Sequence, residues 1–179
     1  GQVILATGSI ERPIAFANND RPGVMLASAA RGMVERYGVS PGSSGVVFTN
    51  NDDAYKTAQA LKEAGAQIVA VLDARPAPAG ANSGHRVYNN ATPLSTKGAR
   101  HCLKNVSALV DGATLEWDAD LLAVSGGFTP VVHLHMQAGG TLDWNEDAQA
   151  FIPASSRQNV TTIGGEINHD GLGLQAAAG

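Results

Sequence analysis

A chain of 179 residues, 44% of them hydrophobic, is long enough for one domain or one and a half and apolar enough to build a core. Aromatic residues make up only 5%, so that core is expected to consist mainly of Ala, Val, Leu and Ile. A formal charge of −4 argues against non-specific nucleic-acid binding, no apolar stretch is long enough to span a bilayer, and no signal peptide is recognisable; the lone Cys102 excludes an internal disulfide or a Cys-x-x-Cys redox pair, leaving the cytoplasm as the default compartment.

Residues 2–8 read as a buried strand that stops at Thr7-Gly8. A strand with no element before it is expected of a fragment. Arg12-Pro13 and Arg21-Pro22-Gly23 bracket an irregular crossing segment. Leu26, Ala29, Ala30, Met33, Val34 and Tyr37 then recur at helical spacing, and Gly38 is placed to end that helix. Residues 46–48 form a short apolar strand. Residues 53–64 are rich in helix formers, with Ala54, Ala58 and Leu61 on one face and Gly65 at the C-terminal cap. Residues 68–72 are a second β-branched run, ending at Asp73. Together these make a βαβ unit with parallel strands and a right-handed crossover.

Residues 74–84, with Pro76 and Pro78, read as a loop, and residues 86–88 as a short strand. Residues 103–109 and 114–117 are hairpin partners around Asp111-Gly112, a small antiparallel excursion. Residues 120–125 form the next buried strand and end at Gly126-Gly127. Phe128-Thr129-Pro130 turns into a short helix over residues 131–136. His133 and His135 are two apart and face different ways on a helix, which favours packing over metal binding. Cys102 follows His101, but neighbours in a strand point to opposite faces, so Cys102 is read as structural. Residues 144–151 are polar and then aromatic. Residues 160–166 are a last strand running into Gly164-Gly165-Glu166, and residues 171–179 begin a helix. The fold class is α/β, with a Rossmann-like βαβ domain at its centre.

A βαβ unit whose second strand ends in an acid is the dinucleotide-binding arrangement. The helix start offers N–H groups and a positive dipole to a pyrophosphate, and the acid accepts hydrogen bonds from the adenosine ribose. Asp73 is placed for that role. The turn, however, is Thr49-Asn50-Asn51-Asp52-Asp53 and contains no glycine. Asn50 or Asn51 can substitute through a left-handed backbone, and Asp52 and Asp53 suit a helix N-cap, though their charge repels phosphate. A plain βαβ unit with no nucleotide fits the same residues.

Three segments carry a more specific pattern: residues 6–25, starting Ala-Thr-Gly-Ser-Ile-Glu-Arg-Pro; residues 47–55, Val-Phe-Thr-Asn-Asn-Asp-Asp-Ala-Tyr; and residues 123–134, Ala-Val-Ser-Gly-Gly-Phe-Thr-Pro-Val-Val-His-Leu. In these the chain resembles the alpha subunits of heterotetrameric sarcosine oxidases. More widely it resembles flavoproteins of the pyridine-nucleotide-disulfide-reductase class, in which an NAD(P) domain is inserted into an FAD-type domain. The glycine-free turn is itself a feature of the alpha subunits.

The resemblance implies residues 1–38 as a strand and crossing segment of a truncated outer FAD-type domain, residues 39–130 as the NAD-binding domain, and residues 131–179 as the return to the outer domain. It implies noncovalent NAD on this chain, with FAD and FMN in the whole complex. The implied partners are beta, gamma and delta subunits, together with folate in a later region of the alpha subunit. The implied reaction is oxidative demethylation of sarcosine, with amine oxidation on the beta subunit. No catalytic residue and no metal ligand is therefore expected here, and the isolated chain is expected to be inactive. Alternatives are an alpha-type subunit of another amine, opine or proline dehydrogenase, and a degenerate Rossmann module that only assembles subunits.

On that footing Thr49, Asn50, Asn51, Asp52, Asp53, Asp73 and Arg75 are candidate nucleotide residues. Gly126, Gly127 and Pro130 are candidates at the nicotinamide half, as against a tight turn. Thr7 and Gly8, with Gly164, Gly165 and Glu166, are candidates at the second, flavin-type site, where the wider class has Gly-Asp. Arg75 has three readings: contact with a 2′-phosphate, stacking on adenine, or simple solvation. Asp73 favours NAD over NADP, because a carboxylate repels a 2′-phosphate.

Overall fold

The protein is described here from a computed structural model that covers residues 1–78, 84–99 and 102–164. The chain divides into two compact units, one of residues 13–126 and one of residues 1–12 with 127–179. It enters the second of these with β1 (Val3–Leu5) and β2 (Ser9–Glu11). From Pro13 it builds the other unit: β3 (Val24–Leu26), α1 (Ala27–Tyr37), β4 (Ser44–Thr49), α2 (Asp53–Glu63), β5 (Gln67–Asp73), β6 (Val87–Tyr88), β7 (Ala91–Ala99), β8 (Cys102–Val110), β9 (Ala113–Asp118) and β10 (Leu121–Ser125). It then returns with β11 (Phe128–Pro130), α3 (His133–Gln137), β12 (Leu142–Asn145), β13 (Ala150–Pro153) and β14 (Val160–Thr162).

Unit 13–126 has three layers. In its middle layer five parallel strands run in the order β3-β10-β4-β5-β6. Strand side chains alternate between faces, and here both faces are covered, which is why these strands read as continuous apolar runs. Val46, Phe48, Leu72 and Leu122 pack with Leu103, Val106 and Ala108 of the antiparallel sheet β7-β8-β9. Val47, Val71 and Ala123 face the other way, onto Ala27 and Ala30 of α1 and Ala54 and Ala58 of α2. The βαβ unit, its helical face and the β8–β9 hairpin are as expected from sequence. Gly65 follows α2 in a left-handed conformation, with its N–H on the Lys62 carbonyl.

Other expectations need correction. Leu26, expected to open the helix, instead ends a strand over residues 24–26, because β3 adds in register to β10, Val24 beside Leu122. The α1 face is also turned. Ala27 and Ala30 are buried, while Ala29 and Tyr37 are exposed, because small alanines let the helix approach the sheet and the bulky Tyr37 stays in solvent. The change between compact units falls at 12/13 and 126/127, with β3 and α1 packing within the parallel unit. Strand β7 was not foreseen. It contains Pro93 and Gly98, both poor strand formers, and its ladder with β8 shifts register at both places.

Unit 1–12/127–179 is built of two-stranded pieces: β1 parallel to β14, β2 antiparallel to β11, and the hairpin β12–β13. The helix expected after Pro130 is present as α3. Residues 144–151 fold as the unforeseen hairpin, with Trp144 and Phe151 meeting edge to face at 5.1 Å. The buried character expected of β1 is not observed. Val3 is 53% and Ile4 61% exposed, because among the described residues only β14 pairs with β1. Gly165, Glu166 and the helix expected over 171–179 lie outside the described residues. No helix among the described residues is long and apolar enough to cross a membrane.

Candidate functional site

The parallel register places Ser125, Thr49 and Asp73 side by side at the carboxyl ends of β10, β4 and β5, the edge where open α/β sheets receive ligands. All three are fully buried. The turn that follows β4 is closed by its own side chains. Thr49 Oγ1 donates to the Asn51 carbonyl at 2.7 Å and accepts from the Asn51 N–H at 3.0 Å. The Asn51 amide donates to Ser125 Oγ at 2.9 Å, and its Oδ1 accepts the Asp53 N–H at 3.1 Å. Asn50 donates its side-chain amide to the Gly126 carbonyl and its backbone N–H to the Ser125 carbonyl.

Two sequence expectations change here. Neither Asn50 nor Asn51 adopts a left-handed backbone; among the described non-glycine residues only Asn18, Asn90, Asp111 and Gln149 do. Asp52 stands at the N-cap but makes no capping hydrogen bond, and Asn51 serves the first turn in its place. The reason is a stronger partner for Asp52, whose carboxylate pairs with Arg75. Asp53 pairs with Arg31 at 3.1 Å and with Lys56 at 3.3 Å. Cations from three elements thus offset the acidic turn, and none of those pairings was read from the sequence.

Asp73 is the best-held side chain of the group. Its Oδ1 accepts the Arg75 backbone N–H at 2.9 Å and Arg75 Nε at 3.0 Å; its Oδ2 accepts the Tyr55 hydroxyl and Arg75 Nη2, both at 2.8 Å. The carboxylate that sequence places at a ribose is buried and accepts four hydrogen bonds from its own chain. Tyr55 was missed. Its signal was its place beside Ala54 on the inward face of α2, from which its hydroxyl reaches the end of β5. Burial, then the hydrogen bond to Asp73, pushes the Tyr55 hydroxyl above the usual tyrosine range, so it remains a neutral donor. The hydrogen bond to Asp73 outweighs burial at Arg75 and, with that to Asp52, holds its guanidinium charged.

The remaining candidates lie in the other unit, apart from Gly126, which is buried and accepts from Asn50. Thr7 and Gly8 meet the Pro130–Val131 segment there: Thr7 Oγ1 donates to the Val131 carbonyl at 2.7 Å, and the Val131 N–H reaches Gly8 at 3.0 Å. Gly127 has φ +84, and a Cβ on it would lie 2.6 Å from Arg12 Nη2. The space beside Gly127 is thus filled by Arg12, whose N–H also bonds the Gly127 carbonyl. Gly164 follows β14, and no described residue would lie within 4 Å of a Cβ on it. His135 is buried, with Nε2 3.0 Å from the Thr141 carbonyl and Nδ1 3.2 Å from Thr162 Oγ1.

No protein-family model matches the chain. It is 39% identical over 173 residues to sarcosine oxidase subunit alpha of Rhizobium meliloti (strain 1021), which covers 96% of this chain and 17% of that protein. It is 41% identical over 175 residues to the subunit of the same name from Corynebacterium sp. (strain P-1), covering 91% of this chain and 18% of that protein. Among solved structures it is similar in fold to T. acidophilum thioredoxin reductase, with a TM-score of 0.72 and 14% identity over 94% of this chain and 58% of that one. Over most of its length, therefore, the chain is a homologue of a segment of the sarcosine oxidase alpha subunits, and it spans 17–18% of the length of the two described.

Proposed function

We propose that this chain is the NAD-holding portion of the alpha subunit of a multi-subunit flavoprotein oxidase that demethylates sarcosine. The overall reaction is sarcosine, water and O2 to glycine, formaldehyde and hydrogen peroxide; with tetrahydrofolate as one-carbon acceptor, sarcosine, tetrahydrofolate and O2 give glycine, a methylene-folate and hydrogen peroxide with no net use of water. The observation that carries this reading is the 39–41% identity to sarcosine oxidase alpha subunits along nearly the whole chain. Residues 13–126 are the nucleotide domain in this proposal, and residues 1–12 with 127–179 are part of an FAD-type domain. NAD lies on the carboxyl edge of the parallel sheet, with its adenosine end at Asp73–Arg75 and its pyrophosphate at the start of α2.

The residues present fit such a group. The acids of the turn are offset by Arg31, Lys56 and Arg75, so the helix start can receive an anion. NAD, when bound, supplies a hydride-accepting nicotinamide, but amine oxidation itself is assigned to a flavin on the beta subunit. This chain's residues bind and orient. FAD, covalent FMN between alpha and beta, the gamma and delta subunits, and folate belong to the assembled complex in this proposal.

A structural, non-binding module is the reading to set against it. It is favoured by one observation: the N–H groups of Asn50, Asn51 and Asp53 are already bonded within the protein. Calorimetric titration of NAD into the full chain separates the two. Saturable one-to-one binding is expected, with no peroxide formed from sarcosine unless a beta subunit is added. Absence of binding would leave the structural reading.

A further inference from the structure

Asp73 has no vacancy for a ribose. A carboxylate offers about four acceptor positions, and the backbone N–H, Nε and Nη2 of Arg75 with the Tyr55 hydroxyl take them at 2.8–3.0 Å. The Asp73 side chain has no exposed surface. A ribose hydroxyl could bond it only by removing one of these donors, and a displaced donor that stays buried costs free energy.

Arg75 presents the opposite case. Its guanidinium carries five N–H donors in a planar fork. The Nε edge and Nη2 are held by Asp73, and Nη2 also pairs with Asp52. Nη1 makes no hydrogen bond with any described residue, and the side chain is 32% exposed. The two acids therefore fix the plane of the fork and leave its outer donors for something else.

We propose that Arg75 reads the adenosine ribose, with Asp73, Asp52 and Tyr55 acting as positioning residues that hold it. This rests on the dinucleotide reading above and changes which atoms do the recognition. Arginine only donates, so the ligand group it meets is an acceptor: a ribose hydroxyl oxygen of NAD, or equally an oxygen of a 2′-phosphate. The discrimination against NADP expected from a bare Asp73 is correspondingly weakened, because Arg75 screens that carboxylate. What remains of it falls to Asp52, which is half-exposed.

The sign of one substitution separates the two mechanisms. If Asp73 were the ribose acceptor, Arg75→Ala would uncover it, and NAD would bind as tightly or more tightly. If Arg75 is the reader, Arg75→Ala weakens NAD binding about tenfold to a hundredfold, the range of a charge-assisted hydrogen bond. Asp73→Asn then weakens it comparably, and the double variant is no worse than Arg75→Ala alone. Nicotinamide mononucleotide, which lacks the adenosine half, serves as the control: its affinity should not change in Arg75→Ala, whereas general damage to the site would lower both. Calorimetry on the full chain gives all of these, with thermal unfolding to verify folding. Unchanged or tighter NAD binding by Arg75→Ala, with wild type binding normally, overturns this proposal alone. No NAD binding by wild type overturns the dinucleotide reading and this proposal with it.

Discussion

The two compact units use similar residues to different ends. In unit 13–126 the apolar strands are sandwiched, so Val46, Val47, Leu72 and Leu122 have no exposed surface. In unit 1–12/127–179 the described strands pair in twos, and Val3, Ile4, Ile10, Trp144 and Phe151 remain exposed. An apolar run thus supplies the tendency to form a strand, while burial depends on whether a second layer is present. The first unit is expected to carry most of the stability measured in this chain.

The largest test of that difference pairs one apolar strand position from each unit. Leu72→Ala removes a side chain packed between sheets and should cost about 2–5 kcal/mol. Ile4→Ala, at a position mostly in solvent, should change stability by less than about 0.5 kcal/mol. Urea denaturation of both variants checks this, and equal costs would break the comparison.

A smaller effect sharpens it. Gly23 and Gly164 share a φ of +106, a conformation that side chains rarely adopt, but their surroundings differ. A Cβ on Gly23 would lie 2.7 Å from the Asp120 carbonyl oxygen and 2.8 Å from Leu103 Cβ, while at Gly164 no described residue lies within 4 Å. Alanine at Gly164 should cost about 1–2 kcal/mol from backbone strain. Alanine at Gly23 should cost a further ~1–3 kcal/mol from overpacking. Midpoints of thermal unfolding that fall equally would show that the packed wall at Gly23 yields freely.

The smallest effect is one of pH. Burial acts to raise the Asp120 pKa, but hydrogen bonds from Ser43 Oγ and from the backbone N–H groups of Ser44 and Ser43 outweigh it and hold the carboxyl below its usual range. A carboxyl whose pKa is depressed on folding contributes stability that is complete above the unfolded value, near 4, and is lost as pH falls through the folded value. Wild type should therefore lose more stability than Asp120→Asn when the pH is lowered from about 5 towards 2. Parallel denaturation curves at both pH values in the two proteins would remove Asp120 from the account.

The local parts of this architecture were legible in the sequence. Val46–Phe48, the Ala54-Ala58-Leu61 stripe, the glycine after α2 and the β8–β9 hairpin depend on period, propensity and turn chemistry, which neighbouring residues carry. Strands β7 and β12–β13 were not legible, because their residues are poor or mixed strand formers, Pro93 and Gly98 among them, and only the cross-strand ladder holds them extended. The same division runs through the site. Sequence alone placed Thr49, Asp52, Asp53 and Asp73 at the end of a βαβ unit and related the chain to sarcosine oxidase alpha subunits. Only the tertiary structure decided what Asp73 can do. It brings Tyr55 from α2 to one carboxylate oxygen and folds Arg75 back over both, so the carboxylate that its place in the sequence offers to a ligand is surrounded by donors of its own chain.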